Sequence, residues 1–163
     1  MMKRIAAILC PLFMLLPLTA CGPTRTPPEA AQSQVNSAHV LKANTNAELM
    51  FQNAQNYASS CIAQGNKLKP GRYDGKLGTG ETSCSFSGDS ADFQSAQNTY
   101  TNGMTGGYYS VTVGQDGMPT VAYWSEDIDL SGENFPPSGE TFYATREKLI
   151  GRYPDGAVPD TGE

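Results

Sequence analysis

The sequence predicts an α+β fold, with one long amphipathic helix near the N-terminus packed on a small antiparallel sheet. Two patterns carry this expectation. Ala47, Met50, Phe51, Ala54, Tyr57, Ala58, Cys61 and Ile62 recur at intervals of three and four, the period of a single buried helical face. Tyr108 to Val113 and Thr120 to Trp124 are rich in β-branched and aromatic residues and flank Asp116-Gly117, a dipeptide suited to a type I′ hairpin turn.

The elements follow in chain order. The main helix is expected from Thr45 to Ala63, opened by a capping box of Thr45 with Glu48 and closed by Gly65 as a C′ residue. Val35, Ala38 and Leu41, spaced by three, offer an earlier start. Arg72 to Leu77 and Thr82 to Ser87 are candidate strands. Asp89 and Asp92 open a shorter helix with Phe93, Ala96 and Tyr100 turned inward. In the hairpin, Val113 should face Thr120, Val111 face Ala122, and Tyr109 face Trp124, which puts Tyr109, Val111, Val113 and Trp124 on the core side. Ser125 to Glu140 is an acidic loop without a basic residue. Thr141 to Thr145 is a candidate last strand, Glu147 to Ile150 a helical turn, and Pro154 onward a frayed tail.

The beginning of the chain has a different character. Lys3 and Arg4 precede an apolar run from Ile5 to Leu18, broken by Pro11 and Pro17, and small residues then lead to Cys21. That order is the order of a secretory signal, and the apolar part is too short to span a membrane as a mature helix. Leu18-Thr19-Ala20-Cys21 resembles the lipobox of bacterial lipoproteins. The resemblance implies a diacylglyceryl group on the Cys21 sulfur, cleavage before Cys21, and acylation of the new amino terminus. Two or three acyl chains suffice for stable anchoring. The expected location is therefore the cell membrane or outer membrane, lipid-anchored and facing the extracytoplasmic space.

This divides the chain into a signal peptide (1–20), a lipidated N-terminus with a flexible proline-bearing tether (21–43), one α+β domain (44–154) and a disordered tail (155–163). Without Lys3 and Arg4, 9 basic residues stand against 16 acidic ones, a balance of −7 with His39 neutral. Such a chain is a poor nucleic-acid binder and is repelled by anionic headgroups, so the lipid must hold it at the membrane. Cys10 leaves with the signal and Cys21 carries lipid. Cys61 and Cys84 remain as an even pair in an oxidising space, and a disulfide between them is expected, against two separate buried thiols.

Asn46-Ala47-Glu48-Leu49-Met50-Phe51-Gln52-Asn53-Ala54-Gln55-Asn56-Tyr57-Ala58 resembles the entry helix of type IV pilin-like proteins. Gly107 to Val113, the Asp-Gly turn, Pro119 to Trp124 and Ile150 to Pro154 look like the hairpin and C-terminal end of that group, which includes type II secretion pseudopilins. The resemblance covers roughly residues 44 to 154. It implies a pilin-like globular domain and, as partners, other pilin-like or envelope proteins. The apolar N-terminal helix of pilins has no counterpart here; the lipobox stands in its place.

Candidate chemistry is sparse. His39 is the single histidine, and no phosphate loop, HExxH or CxxC is present, so an enzyme is not expected. Asp127, Asp129 and Ser131 begin like a calcium loop, with Gly132 sixth, but Ser138 stands where a bidentate Glu belongs; a plain solvated loop is preferred to a calcium site, and no cofactor is expected. Lys67, Lys69, Arg72 and Lys76 form the one basic cluster, read first as a solvated turn face. The expected function is a structural or protein-interaction role, in association with a pilus or secretion machine. The alternative is a small cell-surface lipoprotein binding a carbohydrate or other ligand through the sheet aromatics Tyr108, Tyr123 and Tyr143.

Overall fold

The computed structural model describes residues 27–80, 83–101, 104, 106–131, 143–144 and 149–159, with no side chains described for 27–36, 143–144 and 159. Helix α1 (Pro27–Ala63) is followed by β1 (Gly71–Lys76), α2 (Ser90–Tyr100), β2 (Tyr108–Val113), β3 (Pro119–Ser125), β4 (Tyr143–Ala144), β5 (Ile150–Tyr153) and β6 (Val158–Pro159). The main sheet is antiparallel in the order β1-β2-β3-β5, and β4 pairs with β6 as a separate parallel bridge. The protein is thus an α+β fold, with α1 across one face of the sheet.

The C-terminal end of α1 is set locally. Asn66 N donates to Cys61 O at 2.9 Å and Gly65 N to Ile62 O at 3.0 Å, while Gly65 takes φ 79°, a Schellman closure. The beginning differs from the expected one. Thr45 does not cap; it lies inside the helix and its hydroxyl donates to Leu41 O at 2.9 Å. The backbone is helical from Pro27, where a proline costs nothing because the first turn has no intrahelical use for its N–H. The packed unit therefore begins before Thr45 and includes Val40 and Ala43.

The hairpin keeps most of its expected register, with Tyr109 opposite Trp124 and Val111 opposite Ala122, but Val113 faces Pro119 and not Thr120. The turn explains the shift. Gly117 N donates to Gly114 O at 3.0 Å, and Gly117 alone is left-handed at φ 83°, so a four-residue turn with a glycine bulge replaces the type I′ pair.

Alternation of the strands creates two faces. Tyr109, Val111, Val113, Ala122 and Trp124 pack under Ala47, Met50, Ala54, Tyr57, Ala58 and Cys61 of α1. Phe93 of α2 fills the end of this core and lies edge-on to Tyr57, ring centroids 5.7 Å apart. At the other end the Ala43 backbone lies directly on Gly151 of β5, where a Cβ would collide with the Ala43 carbonyl. On the opposite sheet face Val121, Tyr123 and Ile150 are covered by Ile128 and Leu130. The acidic segment 126–131 is therefore half structural: its apolar residues are a lid on the sheet.

Four local expectations are corrected. Ile150 begins strand β5 and does not belong to a helical turn. Tyr100 is 41% exposed, and Gln97 takes the inward position one turn earlier. Ile62, placed on the apolar stripe, is 48% exposed. The segment expected to fray after Pro154 returns to the core, with Ala157 buried before β6; residues 160–163 lie outside the described residues.

Candidate functional site

Between α1 and the start of the hairpin lies an open cleft of about 400 Å³, lined by Lys42 and Asn46 of the helix, Met104, Gly106 and Gly107, and Trp124 and Glu126 at the end of β3. The helix places Lys42 and Asn46 one turn apart on the same side. Lys42 Nζ donates to Glu126 Oε2 at 2.8 Å, and this cation, with His39 one turn earlier adding to it, holds the Glu126 carboxyl below the usual glutamate range. Both partners of the pair are more than half exposed, so its contribution to stability is small. Trp124 is the floor. Its indole is buried, Gly107 lies against the ring edge where a Cβ would come within 2.6 Å of Nε1, and Nε1 has no hydrogen-bond partner among the described residues. The cleft thus presents an ammonium, a carboxamide and a carboxylate above an indole.

The residues singled out from sequence fall elsewhere. Cys21 lies outside the described residues, as do Gly132, Glu133 and Ser138 of the acidic loop. Asp127 and Asp129 are exposed, and Asp129 Oδ1 accepts from Ser131 N at 2.9 Å, which holds its carboxyl low. Among the described residues no group of three His, Cys, Asp or Glu is arranged to hold a metal ion. Tyr108 is half-buried with Lys76 Nζ 5.1 Å from its ring centroid. Tyr123 is 3% exposed and sits under Leu130 beside Arg152, so no sugar can stack on it in this arrangement. The side chain of Tyr143 is not among those described. The basic cluster is partly neutralised: Arg72 Nη2 bonds Asp74 at 2.6 Å and the Leu130 carbonyl at 2.9 Å, and Lys67 bonds the Gln115 carbonyl at 2.7 Å.

Cys61 and Cys84 are free thiols; the disulfide expected between them is not formed in this structure. Cys61 is buried on α1, and Cys84, half-buried, packs against the same core. Cys84 lies in an irregular segment and not in the expected strand. The reason is that side chains occupy the backbone there. Tyr57 Oη donates to Ser85 O at 3.3 Å, Asn66 Nδ2 to Phe86 O at 2.8 Å, and Ser85 N donates to Asp92 Oδ1 at 3.1 Å. Loss from water raises both thiol pKa values.

Sequence reading missed the cleft, because Glu126 lies 84 residues from Lys42 and only the fold joins them. Asn44 was also missed, though a polar residue on the inward side of an alanine-rich helix was a signal available. No family model, no curated protein and no solved structure matches this chain. Among the described residues no helix is long and apolar enough to cross a membrane.

Proposed function

We propose that this chain is a lipid-anchored extracytoplasmic protein with a pilin-like domain, serving a structural or protein-interaction role beside a pilus or secretion machine. One observation supports it most. An α-helix lies across one face of a four-stranded antiparallel sheet, the layout expected of a pilin-like domain. The lipid on Cys21 supplies the attachment, and tethering raises the local concentration of any membrane-bound partner.

Fractionation and cross-linking in the native host test the two parts. Cys21→Ser should leave the folded domain in the soluble fraction, and wild-type protein should cross-link to envelope or pilin-like proteins. Retention of the variant in washed membranes would refute the anchor. Intact wild-type chains throughout sheared fibres would refute a role beside the fibre and not within it.

The Trp124 cleft favours a second reading, capture of a small polar ligand, in a different place from the sheet aromatics. Trp124 is the single tryptophan, so its fluorescence reports on this cleft alone. A saturable change on titration with mono- and disaccharides, lost in Asn46→Ala, would support ligand capture.

A further inference from the structure

The two thiols share one core, and the segment that follows Cys84 is strapped to α1 on both sides of Cys61. Tyr57, one turn before Cys61, holds the Ser85 carbonyl through its hydroxyl at 3.3 Å, and the same hydroxyl accepts from Gly88 N at 3.3 Å. Asn66, just beyond the helix end, holds the Phe86 carbonyl at 2.8 Å. Ser85 to Gly88 therefore crosses the helix over the turn that carries Cys61. Cys84, the residue before this strap, packs against the cluster that contains Cys61. A charge on Cys61 would raise the Cys84 pKa, in keeping with their shared core.

We propose that Cys61 and Cys84 are the reduced form of an oxidisable pair, and that their disulfide locks the 84–88 strap onto α1. The reaction is an exchange with a small disulfide or a disulfide-bearing oxidoreductase. Cys84, the more accessible thiol, loses its proton and attacks one sulfur of that disulfide, and the other sulfur leaves as a thiol. Cys61, deprotonated in turn, attacks the Cys84 sulfur and expels the second thiol. Two protein thiols become one disulfide, and one external disulfide becomes two thiols. Because both thiols are held protonated by burial, the exchange should be slow at neutral pH and faster in mildly alkaline buffer. Its occurrence in the cell rests on the extracytoplasmic location proposed above; its chemistry in vitro does not.

The test uses the full chain, reduced, desalted and incubated with oxidised glutathione. Non-reducing digestion and mass spectrometry should find the Cys61 and Cys84 peptides joined and lighter by two hydrogens, distinct from any product of Cys10 or Cys21. Cys61→Ser should instead retain a glutathione adduct on Cys84. Wild-type chains in which both cysteines remain open to alkylation, or in which the Cys84 adduct persists, would overturn the proposal. Correct pairing in vitro with thiols still reduced in cells would count against the location and leave the pair standing.

Discussion

The carboxamide of Asn44 grips Ala157 by both of its backbone groups: Oδ1 accepts from Ala157 N at 2.9 Å and Nδ2 donates to Ala157 O at 2.9 Å. The same oxygen accepts from Arg152 N at 3.0 Å. One helical side chain thus satisfies backbone groups of β5 and of the segment that follows it, 108 and 113 residues away. It takes the part of a neighbouring strand where the sheet has none, and with the burial of Ala157 against Val40 it holds the C-terminal segment on the domain.

Asn44→Ala should therefore destabilise the domain by about 2–3 kcal/mol, since it leaves partly buried backbone groups without partners. Asn44→Asp keeps the two acceptor contacts but sets a carboxylate oxygen against the Ala157 carbonyl, so it should destabilise as well. Urea denaturation measures both, and a loss under about 0.5 kcal/mol for the alanine variant would show that water replaces the clamp.

Gly151→Ala should cost about 1–3 kcal/mol by overpacking, because the new methyl group meets the Ala43 backbone and neither partner is a flexible side chain. Gly106→Ala is the control: nothing lies within 4 Å of the added atom and no positive φ is required. Equal melting temperatures for the two variants would mean that α1 shifts freely on β5.

Asp92 should contribute to the acid limb of stability. Its carboxylate accepts the hydroxyls of Ser85 and Ser87, which hold its pKa below the usual aspartate value. A depressed folded pKa gives stability that is complete above the unfolded value of roughly 3.9 and is lost as pH falls through the folded one. Asp92→Asn should weaken the domain at neutral pH and flatten the decline below about pH 4. An unchanged acid limb in the variant would assign that decline to other carboxylates.

The acidic segment should fold without calcium. Asp129 already spends one oxygen on Ser131 N, and calcium requires about six to eight oxygen ligands. The melting temperature should be the same with chelator and with millimolar calcium. A rise of several degrees in calcium that Asp127→Asn removes would establish a site there.

What could be read from the chain alone is what near neighbours decide. The α1 stripe, its glycine stop at Gly65, the Asp89 cap whose carboxylate accepts from Asp92 N at 2.8 Å, and the facing of Tyr109 and Trp124 depend on residues a few positions apart. The period of a helix or a strand puts those residues together before any tertiary contact exists. The remainder was decided by partners far away in sequence. Thr45 has the chemistry of a cap, yet α1 continues through it, and Ala43 and Asn44 are held in the helix by Gly151, Arg152 and Ala157. Ile150–Tyr153 is a strand because β3 offers it an edge. The Cys84 segment is not one, because Tyr57, Asn66 and Asp92 take up backbone groups that a neighbouring strand would have used. A backbone N–H or C=O leaving water must find some partner, and which partner lies within reach is a property of the folded chain.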